Sequence, residues 1–141
     1  MAEGLEVFTH EAAGYQPLVY SRDWMVALLN YEDIMALENA VDIERHVQTD
    51  EVFILLHGQA AFYLVAGGGP LQVVDLQPGL VYKVTPGTWH NLLATREAAF
   101  AIVEKRDTDK FDTQVRPLSA DERQSLLAQL PGWLKSTRRE G

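Results

Sequence analysis

The chain has 141 residues, of which 47% are hydrophobic and 23% charged, a composition that suits one folded domain with a real core and argues against a disordered or fibrous chain. Its formal net charge is −8 and it has no cysteine, which excludes a disulfide framework, a thiolate nucleophile and a cysteine zinc site, and opposes contact with nucleic acid or an anionic membrane surface. The longest apolar run falls well short of the ~20 residues of a membrane helix. The N-terminus carries early acids and no apolar stretch, so no secretory signal is expected, and a cytoplasmic location is.

In chain order, residues 5–8 and 17–20 are short candidate edge strands. Residues 24–31 (WMVALLNY) fit a strand buried on both faces, or a short helix; periodicity alone does not separate the two. Residues 32–38 form a connector. From residue 40 onward the pattern has a period of two. Val41, Ile43, Arg45 and Val47 share one parity and Asp42, Glu44 and His46 the other, so the two sets point to opposite faces of a strand. Thr49-Asp50 is turn chemistry, residues 51–56 a strand, Gly58-Gln59 a turn, and residues 60–65 its hairpin partner.

Gly67-Gly68-Gly69-Pro70 is a breaker; no helix follows it to bind an anion, so it reads as a hairpin loop. Further strands are expected at 71–76, 80–84, 89–94 and 98–104, separated by Gln77-Pro78-Gly79, Thr85-Pro86-Gly87 and the charged turn Arg96-Glu97. Short strands at such spacing favour an all-β antiparallel barrel or sandwich. Residues 105–116 are charged and loop-like, with Asp107, Asp109 and Asp112 as solvated acids that lack EF-hand spacing. Ser119 and Glu122 form a capping box for a short C-terminal α-helix. Leu126, Leu127 and Leu130 lie near one face of it, and Trp133 and Leu134 pack back on the barrel. A single domain over 1–141 follows, with its barrel core at about 40–104 and a helical extension at about 119–134.

Four side chains stand out as chemistry. Glu44 and His46 project from one side of a strand, Glu51 starts the next strand across a tight turn, and His90 arrives from a distant strand behind Pro86-Gly87. Imidazoles and carboxylates together suit Fe, Mn, Ni, Zn or Cu. Crowding Glu44 and Glu51 in one pocket raises at least one carboxyl pKa unless a cation relieves the repulsion. Phe53 and Leu55 share parity with Glu51, and Phe53 and Tyr63 are candidate substrate-binding residues or simple core. One of Tyr82 and Lys83 faces inward. Trp24 and Trp89 read as packing residues, His57 as a surface turn residue, and His10 carries no signal.

These residues resemble the two motifs of the cupins. The first motif places a His-x-His pair ahead of Glu, six residues and Gly; here His46, Glu51 and Gly58 match. The second runs from Gly through a strand and a Pro-Gly turn to His, matched by Gly79, Pro86-Gly87 and His90. The likeness covers residues 40–104. Two positions depart: Glu44 stands where the first His is usual, and Ala94 where a late Asn is usual, with Asn91 beside His90 instead. The resemblance implies a double-stranded β-helix, or jelly-roll, barrel of the small single-cupin bacterial type. It implies a divalent metal (Fe, Mn, Ni or Zn) on Glu44, His46, Glu51 and His90, and a homodimer formed through an N-terminal edge strand or by sheet packing.

The leading expectation is a metal-binding cupin that acts on or binds a small polar metabolite. As an enzyme it would be an oxygenase or an isomerase or lyase, with Glu44 as general base or fourth ligand. A non-catalytic binding module and a degenerate structural barrel without metal are the alternatives.

Overall fold

A computed structural model describes residues 2–108 and 112–134. Its strands are β1 (Gly14–Tyr20), β2 (Trp24–Asn30), β3 (Asp42–His46), β4 (Glu51–His57), β5 (Ala60–Val65), β6 (Gln72–Asp75), β7 (Val81–Val84), β8 (Trp89–Ala94), β9 (Ala99–Lys105) and β10 (Thr113–Pro117), followed by helix α1 (Ala120–Ala128). They form two five-stranded antiparallel sheets, ordered β1-β2-β9-β4-β7 and β10-β3-β8-β5-β6. This is the expected all-β jelly-roll barrel with a short C-terminal helix. No helix among the described residues is long and apolar enough to cross a membrane.

The period-two pattern builds the core. Inward positions of both sheets meet in one cluster that includes Leu29, Phe53, Leu55, Phe62, Leu92, Phe100 and Ile102. Phe53 and Phe62 meet edge to face, with centroids 5.0 Å apart, a favoured aromatic geometry. A second cluster lies on the outer face of the second sheet, where Ile43, Tyr63 and Leu93 pack under Leu126 and Leu130 of the helical extension. Burying each such side chain contributes about 1.5–3 kcal/mol. The capping box forms as expected: Ser119 Oγ accepts from the Glu122 N–H at 3.1 Å, and the Ser119 N–H donates to Glu122 Oε1 at 2.9 Å. Trp133 and Leu134 pack against the second cluster as expected.

Several expectations are corrected. β4 and β5 are not a hairpin: β4 pairs with β7 and β9, β5 with β6 and β8, and the two lie in opposite sheets. The β4–β9 register shifts between Leu55 and His57, the latter pairing with Ala99. Gly58 then crosses over at φ +82°, where an added Cβ would stand 2.5 Å from the Ala98 Cα. No β-carbon fits there.

Residues 5–8 form no strand, because β1 already occupies that edge. Residues 113–117 are a strand, not loop: β10 pairs with β3. Its polar, wet sequence and terminal proline suit an edge position and hide it from an alternation test. Leu127 is exposed while Leu126 and Leu130 are buried. Trp24 is 45% exposed and so is not a packing residue, whereas Trp89 lies between the guanidinium groups of Arg45 and Arg116, 4.5 and 4.7 Å from its ring centre. In β2 only Met25, Ala27 and Leu29 are buried; the opposite face is not.

Candidate functional site

Sheet register fixes which side chains meet. Glu44 of β3 stands opposite His90 of β8. Glu51 of β4 stands opposite Glu104 of β9, and His46 of β3 opposite Thr113 of β10. All of these residues line one cavity of about 370 Å³ between the sheets. Phe53, Leu92 and Ile102 continue its wall, and Tyr15, Ile34 and Met35 contribute from β1 and the connector after β2.

His46, Glu51 and His90 are buried, with one possible ligand atom from each lying within 4.8 Å of the others. His46 Nε2 is 2.9 Å from Glu51 Oε1, and His90 Nε2 is 3.1 Å from the same oxygen. The outer nitrogens are held separately: His90 Nδ1 donates to the Thr88 carbonyl at 2.9 Å, and His46 Nδ1 meets the Thr113 hydroxyl at 3.2 Å. A proton fixed on His90 Nδ1 leaves the Nε2 lone pair of the neutral ring facing a carboxylate oxygen. That contact needs a positive centre, either a proton or a metal ion. Two donors bonded to one ion at ~2.1 Å and at right angles to each other stand ~3 Å apart, close to both distances here. The three residues therefore fit a divalent metal, and holding the outer nitrogen of a ligating His is the usual way its ring is oriented.

The electrostatics follow from burial and register. Burial alone would push Glu51 up, but hydrogen bonds and charge from His46 and His90 bring it down to about 2. Burial would push His46 down; the Glu51 hydrogen bond and the surrounding carboxylates raise it instead. Glu44 is raised, first by burial and then by the charge of Glu51. It lines the cavity but lies outside the compact group of three.

Two further residues bear on the site without being singled out by the sequence. Glu104 is buried and accepts a hydrogen bond from the Tyr15 hydroxyl, and its Oε2 has no hydrogen-bond partner among the described residues. Burial first and the Glu51 charge second raise its carboxyl to about 8. Its signal was present: it shares parity with Phe100 and Ile102, an acid at the end of an apolar inward face. Asp112, read as a solvated acid, accepts from the N–H groups of Val47 and Gln48 at 3.1 and 2.9 Å and from Thr49 Oγ1 at 3.1 Å. It thereby ties down the turn that separates His46 from Glu51. Asp109 lies outside the described residues.

Phe53 lies on the cavity wall with its ring centre 6.0 Å from that of His90. Tyr63 does not line the cavity: it points to the opposite face of its sheet, is buried in the second cluster, and donates to the Asp42 carbonyl at 3.1 Å. Its odd position in β5 places it opposite in parity to the inward Phe62. Leu55 is core. Tyr82 faces inward and Lys83 outward. His57 is exposed at the end of β4, and His10, hydrogen-bonded to the Gly14 carbonyl at 2.9 Å, does not line the cavity.

No family model matches the sequence, and no curated protein does. Solved structures do match. A cupin-2 domain protein from Shewanella frigidimarina is 25% identical over 68% of this chain and 85% of its own, with a TM-score of 0.52. A Bacillus halodurans protein is 16% identical over 73% and 83%, with a TM-score of 0.55. Pac13, described as a nucleoside dehydratase, is 13% identical over 79% and 86%, with a TM-score of 0.54; Streptomyces Pac13 variants have been solved with uridine. The chain has the cupin fold, in its small form.

Proposed function

We propose that the chain binds one divalent metal through His46, Glu51 and His90, and beside it a small polar molecule that is uncharged or cationic, on which it carries out proton-transfer chemistry of the isomerase or lyase type. The convergence of three buried donor atoms on one oxygen-centred point supports the first half. The donor set suits Fe, Mn, Ni or Zn. A bound divalent ion supplies Lewis acidity and a fixed point for a chelating substrate.

The rest of the chemistry belongs to the chain. Thr88 and Thr113 orient the two imidazoles. Glu44, its pKa raised by burial and then by the charge of Glu51, and outside the group of three, serves as general base, not as fourth ligand. Glu104, buried and raised to about 8 in the metal-free protein, is the group suited to donate a hydrogen bond or a proton, with Tyr15 fixing one of its oxygens. An acceptor and a donor in one cavity are what proton transfer needs, and their pKa values are set apart by environment.

The ligand's charge follows from the lining. Glu32, Asp42, Glu44, Glu51 and Glu104 line the cavity, and among the described residues no Lys or Arg does. A phosphate or carboxylate would meet like charge at low dielectric. Phe53, Leu29 and Leu92 offer an apolar wall to the rest of the molecule. Uridine, an uncharged hydroxylated compound found with the Pac13 variants, is a fitting first probe.

The test is metal analysis after reloading, with the cobalt absorption spectrum as a second readout. We expect about one ion per chain, and an affinity at least ~100-fold lower for Glu51→Gln, since loss of a supporting group alone costs 10–100-fold. Reloaded protein that never retains a stoichiometric ion sinks the proposal.

A further inference from the structure

A second cavity, of about 720 Å³, lies between the connector after β2, the turn from β8 to β9 and the helical extension. Its walls are chiefly apolar. Leu37 of the connector faces Leu127 of α1 and the Trp133-Leu134 pair across it, with Leu93 of β8 beneath. Leu127 is 37% exposed because it borders this space and not the core under Leu126 and Leu130.

Four charged residues border the same cavity. Glu38, Arg96 and Glu97 are exposed and keep their hydration. Arg123 of α1 is half-buried. Its Nη1 donates to the carbonyls of Leu37 and Ala40 at 3.1 and 2.9 Å. Among the described residues its guanidinium makes no further hydrogen bond and no ion pair. Arg116 shows the usual alternative: Glu122 holds it through two bonds of 2.7 and 2.9 Å. A guanidinium drawn partly out of water calls for an anion, and in a chain with 20 acids this one has been given none of them.

We propose that this cavity binds a small amphipathic monocarboxylate, its apolar body between the connector and the helical extension and its carboxylate on the Nε–Nη2 edge of Arg123. The free edge of a guanidinium is a planar fork that matches a carboxylate with two parallel bonds. The two backbone carbonyls already fix that fork, so little side-chain freedom is lost on binding. The volume lies within the range of small-molecule pockets, which pair apolar walls with a few placed polar groups. The rim carries one more acid than base, which limits the ligand to a single negative charge. The metal-site cavity offers such a ligand no place, since five acids and no Lys or Arg line it. The two cavities thus differ in sign, and Met35, buried and lining both, is the wall between them.

Calorimetric titration of the full chain with decanoate tests this. We expect one saturable site, with affinity falling about fourfold for each methylene removed from the probe and at least ~10-fold when decanol replaces decanoate. Arg123→Gln keeps a donor for the two carbonyls and removes the charge. It should weaken decanoate by ~10-fold or more and leave decanol unmoved. Should Arg123→Gln fail to fold, Leu127→Trp fills the cavity from an exposed position and should abolish binding. Methyl NMR locates the ligand: decanoate should shift the signal of Met35 and leave that of Met25, which lines neither cavity. No saturable binding at millimolar decanoate overturns the proposal. So does decanol that binds as tightly as decanoate, a Met35 signal that stays in place, or folded Leu127→Trp that binds like wild type.

Discussion

The two ends of the barrel interior are built from the same strands and do opposite things. Along β4 the inward residues run Glu51, Phe53, Leu55; along β9 they run Glu104, Ile102, Phe100; along β8 they run His90, Leu92, Ala94. The first residue of each set belongs to the polar cavity, the second to its wall, the third to the closed core. Two residues along a strand, ~7 Å, separate a titratable site from a sealed hydrophobic end. Stability and chemistry should therefore come apart on substitution. Phe100, fully buried at the closed end, gives the largest effect: Phe100→Ala should cost about 3–5 kcal/mol of unfolding free energy and leave metal affinity unchanged in whatever fraction stays folded. Urea unfolding and metal titration on one preparation check both. A variant that loses metal as fast as it loses stability would merge the two ends into one unit.

The polar end should instead show itself in pH dependence. In the unfolded chain Glu104 ionises near 4.5; in the fold it keeps its proton to about 8. Below pH ~4.5 both states hold the proton and no charge is buried. Between those values the unfolded chain has released it and the folded chain has not, so stability falls as pH rises, and the loss is complete once pH passes about 8. The drop is on the order of a few kcal/mol. The raised His46 adds a loss of the same sign, whereas Glu51, lowered to about 2, contributes stability that is fully present above pH ~4.5 and is lost only as pH falls toward 2. Glu104→Gln keeps the shape and removes the titration. In metal-free protein it should flatten the fall between pH 5 and 9, as measured by urea midpoints; parallel curves for the two proteins would mean that Glu104 ionises freely.

How far this was legible in the sequence depends on the range of the interaction. Parity and spacing bring Glu44, His46 and Glu51 together locally, while His90 joins them in the sequence only through the resemblance to the second cupin motif. Ser119 and Glu122 were found because a capping box is local. What failed was non-local. The separation of β4 from β5 into different sheets rests on partners far along the chain, and a turn with Gly58 reads like a hairpin turn. β10 is an edge strand paired with β3, and its cavity-facing positions are filled by Thr113 and Val115, so its residues do not show the apolar–polar alternation of a core strand. Tyr63 stays open between cavity and core in the sequence, because its inward or outward sense depends on that same sheet assignment; the structure places it in the second core cluster. Glu104 was missed for a different reason: an acid at the end of an apolar strand looks like the start of a loop until Tyr15 and Glu51 are brought beside it.

Asp112 offers the smallest and most local way to probe the polar end. Its carboxylate holds the backbone of Val47 and Gln48 and the hydroxyl of Thr49, and hydrogen bonds from that turn lower its pKa although it adds no wall to the cavity. The turn is the covalent link between His46 and Glu51, so its stiffness bears on whether their donor atoms stay converged. Asp112→Asn keeps one acceptor and loses the other along with the charge. Stability should fall by about 1 kcal/mol, the usual effect of losing such a cap, while amide exchange at Val47 and Gln48 accelerates. Metal affinity should fall by about 10-fold, the effect typical of a group that orients ligands without touching the ion. If exchange accelerates and affinity holds, the sheet registers of β3 and β4 alone fix His46 and Glu51, and the polar end is as rigid as the closed one.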